Sequence, residues 1–194
     1  MIKRNCLLTG PFIDTKQIFE HDNYLYKLIR DNINDELSKI DLTNVKSILE
    51  IGPSDNPKRR FNETFNINKS IIYHTLDIID NGSTYTHDIT KILENPITKY
   101  DLILLSEVLE HTSNPFLVIN NIKYLISDVG KIFITFPFNF RLHGPLPDCW
   151  RISEFGFKSI IKEASLSIIK LDALILEERP YFPIHYTSIV THEN

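Results

Sequence analysis

The stretch "ILEIGPSDNP" (Ile48–Pro57) runs from an apolar segment into an acid, a glycine and a polar turn. A strand that feeds a helix through such a turn presents backbone N–H groups to a ligand, and the turn's side chains set how closely it approaches. Counted from Gly52, the positions of a G-x-G-x-x-G fingerprint hold Gly52, Ser54 and Pro57. A pyrophosphate needs bare backbone there, and proline brings no N–H and a bulky ring. The turn therefore argues against binding of NAD or FAD in the usual manner, and Pro57 disfavours a nicotinamide oxidoreductase. A ligand without phosphate makes smaller demands on the turn, and Gly52 alone meets them.

Outward from this turn, strand patterns alternate with helical ones. "VKSILEI" (45–51), "SIIYHTLDI" (70–78), "TYTHDI" (84–89), "YDLILLS" (100–106) and "GKIFITFP" (130–137) read as strands. The fourth and fifth are nearly continuous in apolar residues, as strands covered on both faces are. Helices are expected over 14–40, with Ile18, Phe19, Leu25, Leu28 and Ile29 as the buried stripe, briefly over 89–95, and over 115–127. Another is expected over 153–164, capped by Ser153. "LSIIKLDALILEE" (166–178) and "IHYTSIVTHE" (184–193) then follow without an intervening helix and read as an antiparallel edge hairpin. The expected fold is α/β: a Rossmann-like three-layer sandwich on a mostly parallel seven-stranded sheet. No linker divides the chain, so 1–194 is read as one domain, a helical segment (1–44) followed by the core (45–193).

Three acids fall at the ends of successive strands, Glu50, Asp77 and Asp88. That is the carboxyl edge, where open α/β sheets bind their ligands. With "ILEIGPSDNP", "HTLDI", "THDIT" and above all "YDLILLSEVLEHTSNP", residues 45–193 resemble the class I S-adenosylmethionine-dependent methyltransferases. The branch most similar carries an EVLEH segment, and "FPFNFRLHGPLPDCWRIS" resembles a segment in members associated with sugar and surface-polysaccharide modification. The departure from the family pattern is Ser54 and Asn56 in place of glycine.

The resemblance implies S-adenosylmethionine as cofactor. It places Glu50 and Gly52 beside the methionine and ribose, Asp77 on both ribose hydroxyls, and Asp88 on the adenine amino group. It also puts the Ile89 backbone N–H at the ring and the Ser106 backbone at the methionine ammonium. A hydroxyl acceptor is protonated at neutral pH and needs a base. Glu107, Glu110 and His111, just beyond the fourth strand, are the catalytic candidates, and His111 can take a proton near neutrality. Some RNA-directed relatives hold a divalent metal through a similar Glu-x-x-Glu-His segment and a downstream histidine. Glu107, Glu110, His111 and His143 imitate that set, but the spacing of the last is not a close match, so no metal is assigned. In the loop after the fifth strand His143, Asp148 and Arg151 are expected to bind the acceptor, while Trp150 is expected to pack in the core.

The formal charge of −4 over 194 residues offers no general attraction to nucleic acid or anionic membrane. Lys58-Arg59-Arg60, the densest basic run, reads as a solvated loop. No Asn/Asp-Pro-Pro-aromatic tetrapeptide follows the fourth strand, which argues against amino-directed DNA methylation. Two cysteines, Cys6 and Cys149, suit a reducing cytoplasm, and no stretch approaches the roughly 20 apolar residues of a membrane span. The expectation is a cytoplasmic methyltransferase acting on a hydroxyl of a sugar, glycan or small polar metabolite. N-methylation of an amino sugar, or a non-catalytic cofactor-binding subunit, are the alternatives. The oligomeric state is not legible.

Overall fold

A computed structural model describes residues 20–91 and 98–193. In chain order it contains α1 (Glu20–Ser38), β1 (Ser47–Ile51), α2 (Phe61–Phe65), β2 (Ile72–Asp77), β3 (Tyr85–Thr86) and β4 (Tyr100–Ser106). Then follow α3 (Pro115–Lys123), β5 (Ile126–Pro137), α4 (Glu154–Glu163), β6 (Leu166–Leu174) and β7 (His185–His192). The seven strands form one sheet in the order β3-β2-β1-β4-β5-β7-β6. The first five positions pair in parallel, while β7 pairs antiparallel with both β5 and β6. This is the expected doubly wound architecture with its edge hairpin.

The period of two along each strand sorts side chains onto two cores. Ile48 of β1, Leu102 and Leu104 of β4 and Phe133 of β5 face α1, which buries Leu25, Ile29, Ile33 and Leu37 against them. Leu49, Ile51, Ile103, Leu105, Ile132 and Ile134 face the other way, onto Val118, Ile119 and Ile122 of α3 and Phe157, Ile160 and Ile161 of α4. The central strands thus bury both faces, which is why they read as unbroken apolar runs.

Several boundaries differ from expectation. The 115–127 helix stops at Lys123, because Ile126 already pairs with Tyr100 to begin β5. The third strand is only two residues long, and β6 ends at Leu174 rather than 178. Of the expected 89–95 helix, residues 89–91 form a turn and 92–97 lie outside the described residues, as do Ile18 and Phe19 of the expected stripe.

Strand order reverses between β1 and β4, which opens a crevice at their carboxyl ends. Gly52 occupies one lip with φ +65°, a left-handed conformation that favours glycine. A Cβ built there would lie 2.7 Å from Val108 Cγ2, so glycine is also what lets the first turn close against the segment after β4.

Candidate active site

The crevice holds a cavity of about 240 Å³ lined by Glu50, Gly52, Ser106, Glu107, His111 and His143, with α1 as its outer wall. Six of the sequence-assigned residues therefore meet in one place. Asp77 and Asp88 lie farther along the same sheet edge and do not line this cavity.

Glu50 is the penultimate residue of β1 and points to the α1 side with Ile48. Its carboxyl accepts from the Phe61 backbone N–H at the start of α2 and from the Tyr73 hydroxyl. Burial pushes the carboxyl up to about 7, against the opposing pull of the Phe61 N–H and of Arg60 and Arg30. The sign of the linkage follows. An acid whose folded value is raised favours the fold while protonated, and that contribution is lost as pH rises from the ordinary range near 4.5 through 7. Glu50→Gln copies the neutral form. Its melting temperature at pH 8 should exceed that of the wild type by about 2–4 °C, the effect of roughly 1 kcal/mol on a domain of this size, with no gain at pH 4.5. A lower melting temperature at pH 8 would mean that the ionised carboxylate supports the fold.

Glu107 does not begin a helix. Its φ of +57° turns the chain sharply after β4, and Leu109–His111 form a single 3-10 turn. The side chain of Glu107 accepts from Thr135 Oγ1 at 2.9 Å and from His185 Nε2 at 2.7 Å. Burial alone would raise this carboxyl, but the His185 imidazole and the Thr135 hydroxyl hold it below the usual range. Ser106 closes β4 with its hydroxyl 2.9 Å from Thr135 Oγ1.

Glu110 is 1% exposed, and neither carboxylate oxygen has a hydrogen-bond partner among the described residues. Burial, with the neighbouring Glu107 and Asp148 charges, raises it well above the ordinary carboxyl range. His111 Nε2 and His143 Nε2 stand 3.7 and 3.5 Å from Glu110 Oε1. One ligand atom from each of these three residues falls within 4.8 Å of the others, a spacing that suits a bound cation.

His111 Nδ1 lies 3.0 Å from the Pro147 carbonyl oxygen. A carbonyl can only accept, so Nδ1 carries the hydrogen and the Nε2 lone pair is free. Burial lowers the imidazole from its ordinary value, which keeps that lone pair available at neutral pH.

The loop after β5 is tied down over this turn. Cys149 N–H donates to the Glu110 carbonyl at 2.6 Å, and the Trp150 indole N–H donates to the Thr112 carbonyl at 2.9 Å. Trp150 is 40% exposed, contrary to the expected core position, because its indole anchors the loop from outside. Asp148 and Arg151, expected on the acceptor, form a two-armed ion pair with each other. Arg151 also donates to the carbonyls of Phe140, Arg141 and Trp150. Asp148 accepts from the His143 backbone N–H at 2.9 Å. These two residues position His143, and their polar groups are largely occupied in doing so.

At the far end of the edge, Asp77 closes β2 and accepts from Ile79 N–H and Asn81 Nδ2. Asp88 stands two residues past β3, where one oxygen accepts from the Thr90 N–H and hydroxyl and holds a local turn. The Thr90 hydroxyl bond keeps its carboxyl below the usual range despite some burial. Ile89 is buried beside it.

Sequence reasoning missed His185, Thr135 and Tyr73, which hold the two cavity carboxyls. His185 was accessible in principle. An antiparallel final strand must start at the carboxyl edge, and His185 pairs with Pro137 there.

No protein-family model matches the chain, and no curated protein matches it significantly. Its fold is shared with solved methyltransferases of low sequence identity. It is similar to an S-adenosylmethionine-dependent methyltransferase from Clostridium acetobutylicum, with a TM-score of 0.59 and 12% identity over 87% of this chain and 92% of that one. It is similar to the N-methyltransferase NodS from Bradyrhizobium japonicum in complex with S-adenosyl-L-homocysteine, with a TM-score of 0.60 and 13% identity over 86% and 88%. A third is the 1,6-didemethyltoxoflavin-N1-methyltransferase of Burkholderia thailandensis, with a TM-score of 0.58 and 11% identity over 90% and 80%.

Proposed function

We propose that the chain is an S-adenosylmethionine-dependent methyltransferase that methylates a hydroxyl of a sugar, glycan or other small polar metabolite. The observation that carries the reading is the tautomer that the Pro147 carbonyl selects for His111, a residue that lines the crevice where the strand order reverses and keeps its lone pair on Nε2. The residues fit the cofactor. Gly52 puts bare backbone on the lip of the cavity, Asp77 retains acceptor capacity at the strand end, and no phosphate cradle is required.

The cofactor supplies a methyl group on a sulfonium. His111 Nε2 would accept the proton of the acceptor hydroxyl as that oxygen is methylated. Glu107, which lines the cavity, is held in place by its bond from His185. Alignment in a dry site supplies most of the acceleration, and the base completes it.

The orphaned oxygens of Glu110 favour a second reading. A divalent cation held by Glu110, His111 and His143 would satisfy them and lower the acceptor's pKa. The two readings use the same Nε2 and exclude each other. Transfer of a labelled methyl group to a panel of sugars, glycans and small hydroxylated metabolites, with and without EDTA, separates them. Activity that survives EDTA supports the base. Activity lost to EDTA and restored by added Mg²⁺, Mn²⁺ or Zn²⁺ supports the cation. Transfer only to amines on the panel would move the assignment to N-methylation.

A further inference from the structure

Beside the catalytic cavity, and continuous with it through Tyr26, Arg30, Asn34, Arg59 and Thr64, lies an outer groove of about 380 Å³. Its lining contains four cations, Lys27 and Arg30 from α1 and Lys58 and Arg59 from the short 3-10 turn Pro57–Arg59, and no carboxylate. The remaining lining residues, Tyr26, Asn34 and Thr64, all carry hydrogen-bonding groups. The two walls are joined where Arg59 donates to the Tyr26 hydroxyl at 3.3 Å.

This clustering runs against the chain's formal charge of −4. Among the described residues none of the four cations takes part in an ion pair, whereas Lys39, Lys91, Lys99, Lys158 and Lys170 each do. Asp55, the nearest acid along the turn, faces Asn81 instead. Arg60, the third member of the basic run, donates to the Ser54 carbonyl and does not line the groove. The run is thus exposed, as a solvated loop would be, but two of its members face α1 across a concave surface. Four like charges brought together repel one another unless an anion lies between them.

We propose that the methyl acceptor carries a phosphate or diphosphate seated between α1 and the Lys58-Arg59 turn, with its reactive hydroxyl directed inward to His111. This rests on the methyltransferase reading for the word acceptor, while the anion site itself rests only on the groove. A diphosphate matches the number of cations better than a single carboxylate does. Guanidinium and ammonium groups on two facing elements grip phosphate oxygens from both sides.

The test is calorimetric titration of the full chain with inorganic pyrophosphate at low ionic strength, set beside titration with S-adenosylhomocysteine. Wild type should bind pyrophosphate saturably, one per chain, and more weakly as salt is added. The double variant Lys58→Gln/Arg59→Gln should lose at least about tenfold in that affinity, the equivalent of roughly 1.4 kcal/mol. Lys131→Gln/Lys162→Gln, which removes the same charge elsewhere, should leave pyrophosphate binding unchanged. S-adenosylhomocysteine affinity should be the same in all three proteins. Absence of saturable pyrophosphate binding, or equal affinity in both double variants, would overturn the proposal. So would a parallel fall in S-adenosylhomocysteine affinity, which would seat the cofactor's own carboxylate in the groove. Far tighter binding of a single-stranded oligoribonucleotide would overturn it in favour of nucleic acid. If wild type binds pyrophosphate but no S-adenosylhomocysteine, the anion site stands and the methyltransferase reading fails.

Discussion

His111→Ala should lower turnover by about 10² to 10⁴-fold, the usual contribution of a positioned general base, with S-adenosylhomocysteine affinity nearly unchanged. The size of the effect follows from the geometry. Pro147 consumes the Nδ1 hydrogen, and burial keeps the ring neutral, so Nε2 is the atom of this ring able to take a proton at neutral pH. The pH profile carries a second signature. Because the folded value of His111 is lowered, the neutral ring persists below the ordinary histidine range, and the acid limb of kcat should fall beneath pH 6.5. Steady-state kinetics on the acceptor, with calorimetry for the cofactor, measure both. Full activity in His111→Ala, with and without chelator, would leave the histidine a structural residue of the turn.

Asp77→Ala should weaken S-adenosylmethionine binding by about 100-fold or more. Two ribose hydroxyls would lose a charged acceptor, each bond contributing about 1.5–3 kcal/mol, and roughly 3 kcal/mol corresponds to about two powers of ten in affinity. Asp77 also receives bonds from Ile79 and Asn81, so the alanine variant loosens its own loop. Asp77→Asn serves as the second variant. It preserves size and an acceptor for that loop, but one lobe becomes a donor, so cofactor affinity should fall in it as well. Equal affinity in a properly folded Asp77→Asn would remove the ribose assignment.

How much of this was legible in the sequence depended on whether the determinant was local. β1, β4 and β5 bury both faces, and their apolar runs announced them. Ser153 accepts from the first turn of α4, so that helix started where its cap stood. The five-residue α2 gave no such sign, since Arg60 at its start makes no side-chain cap and Glu50 from β1 receives the Phe61 N–H instead. The candidate site divides in the same way. Gly52, Glu107 and His111 follow the ends of β1 and β4, so the strand ends alone pointed to residues that line the cavity.

What the sequence did not disclose came from contacts across long separations. The pairing of Glu107 with His185 depends on β7 running antiparallel to β5. The burial of Glu110 depends on a loop that returns about forty residues later to bond its carbonyl. Asp148 and Arg151 are the exception, since only three residues separate them and the loop's own turn brings the two charges together. Lys58 and Arg59 looked solvated because the groove they line is completed by α1, some thirty residues earlier in the chain.

The most direct test of the central claim is titration of the wild-type chain with S-adenosylhomocysteine, followed by calorimetry and by backbone amide NMR. The expected result is one molecule bound per chain, with the largest shift changes at Gly52, Asp77, Asp88, Ile89 and Ser106. No saturable binding by a folded chain, or shift changes confined to the opposite edge of the sheet, would contradict it.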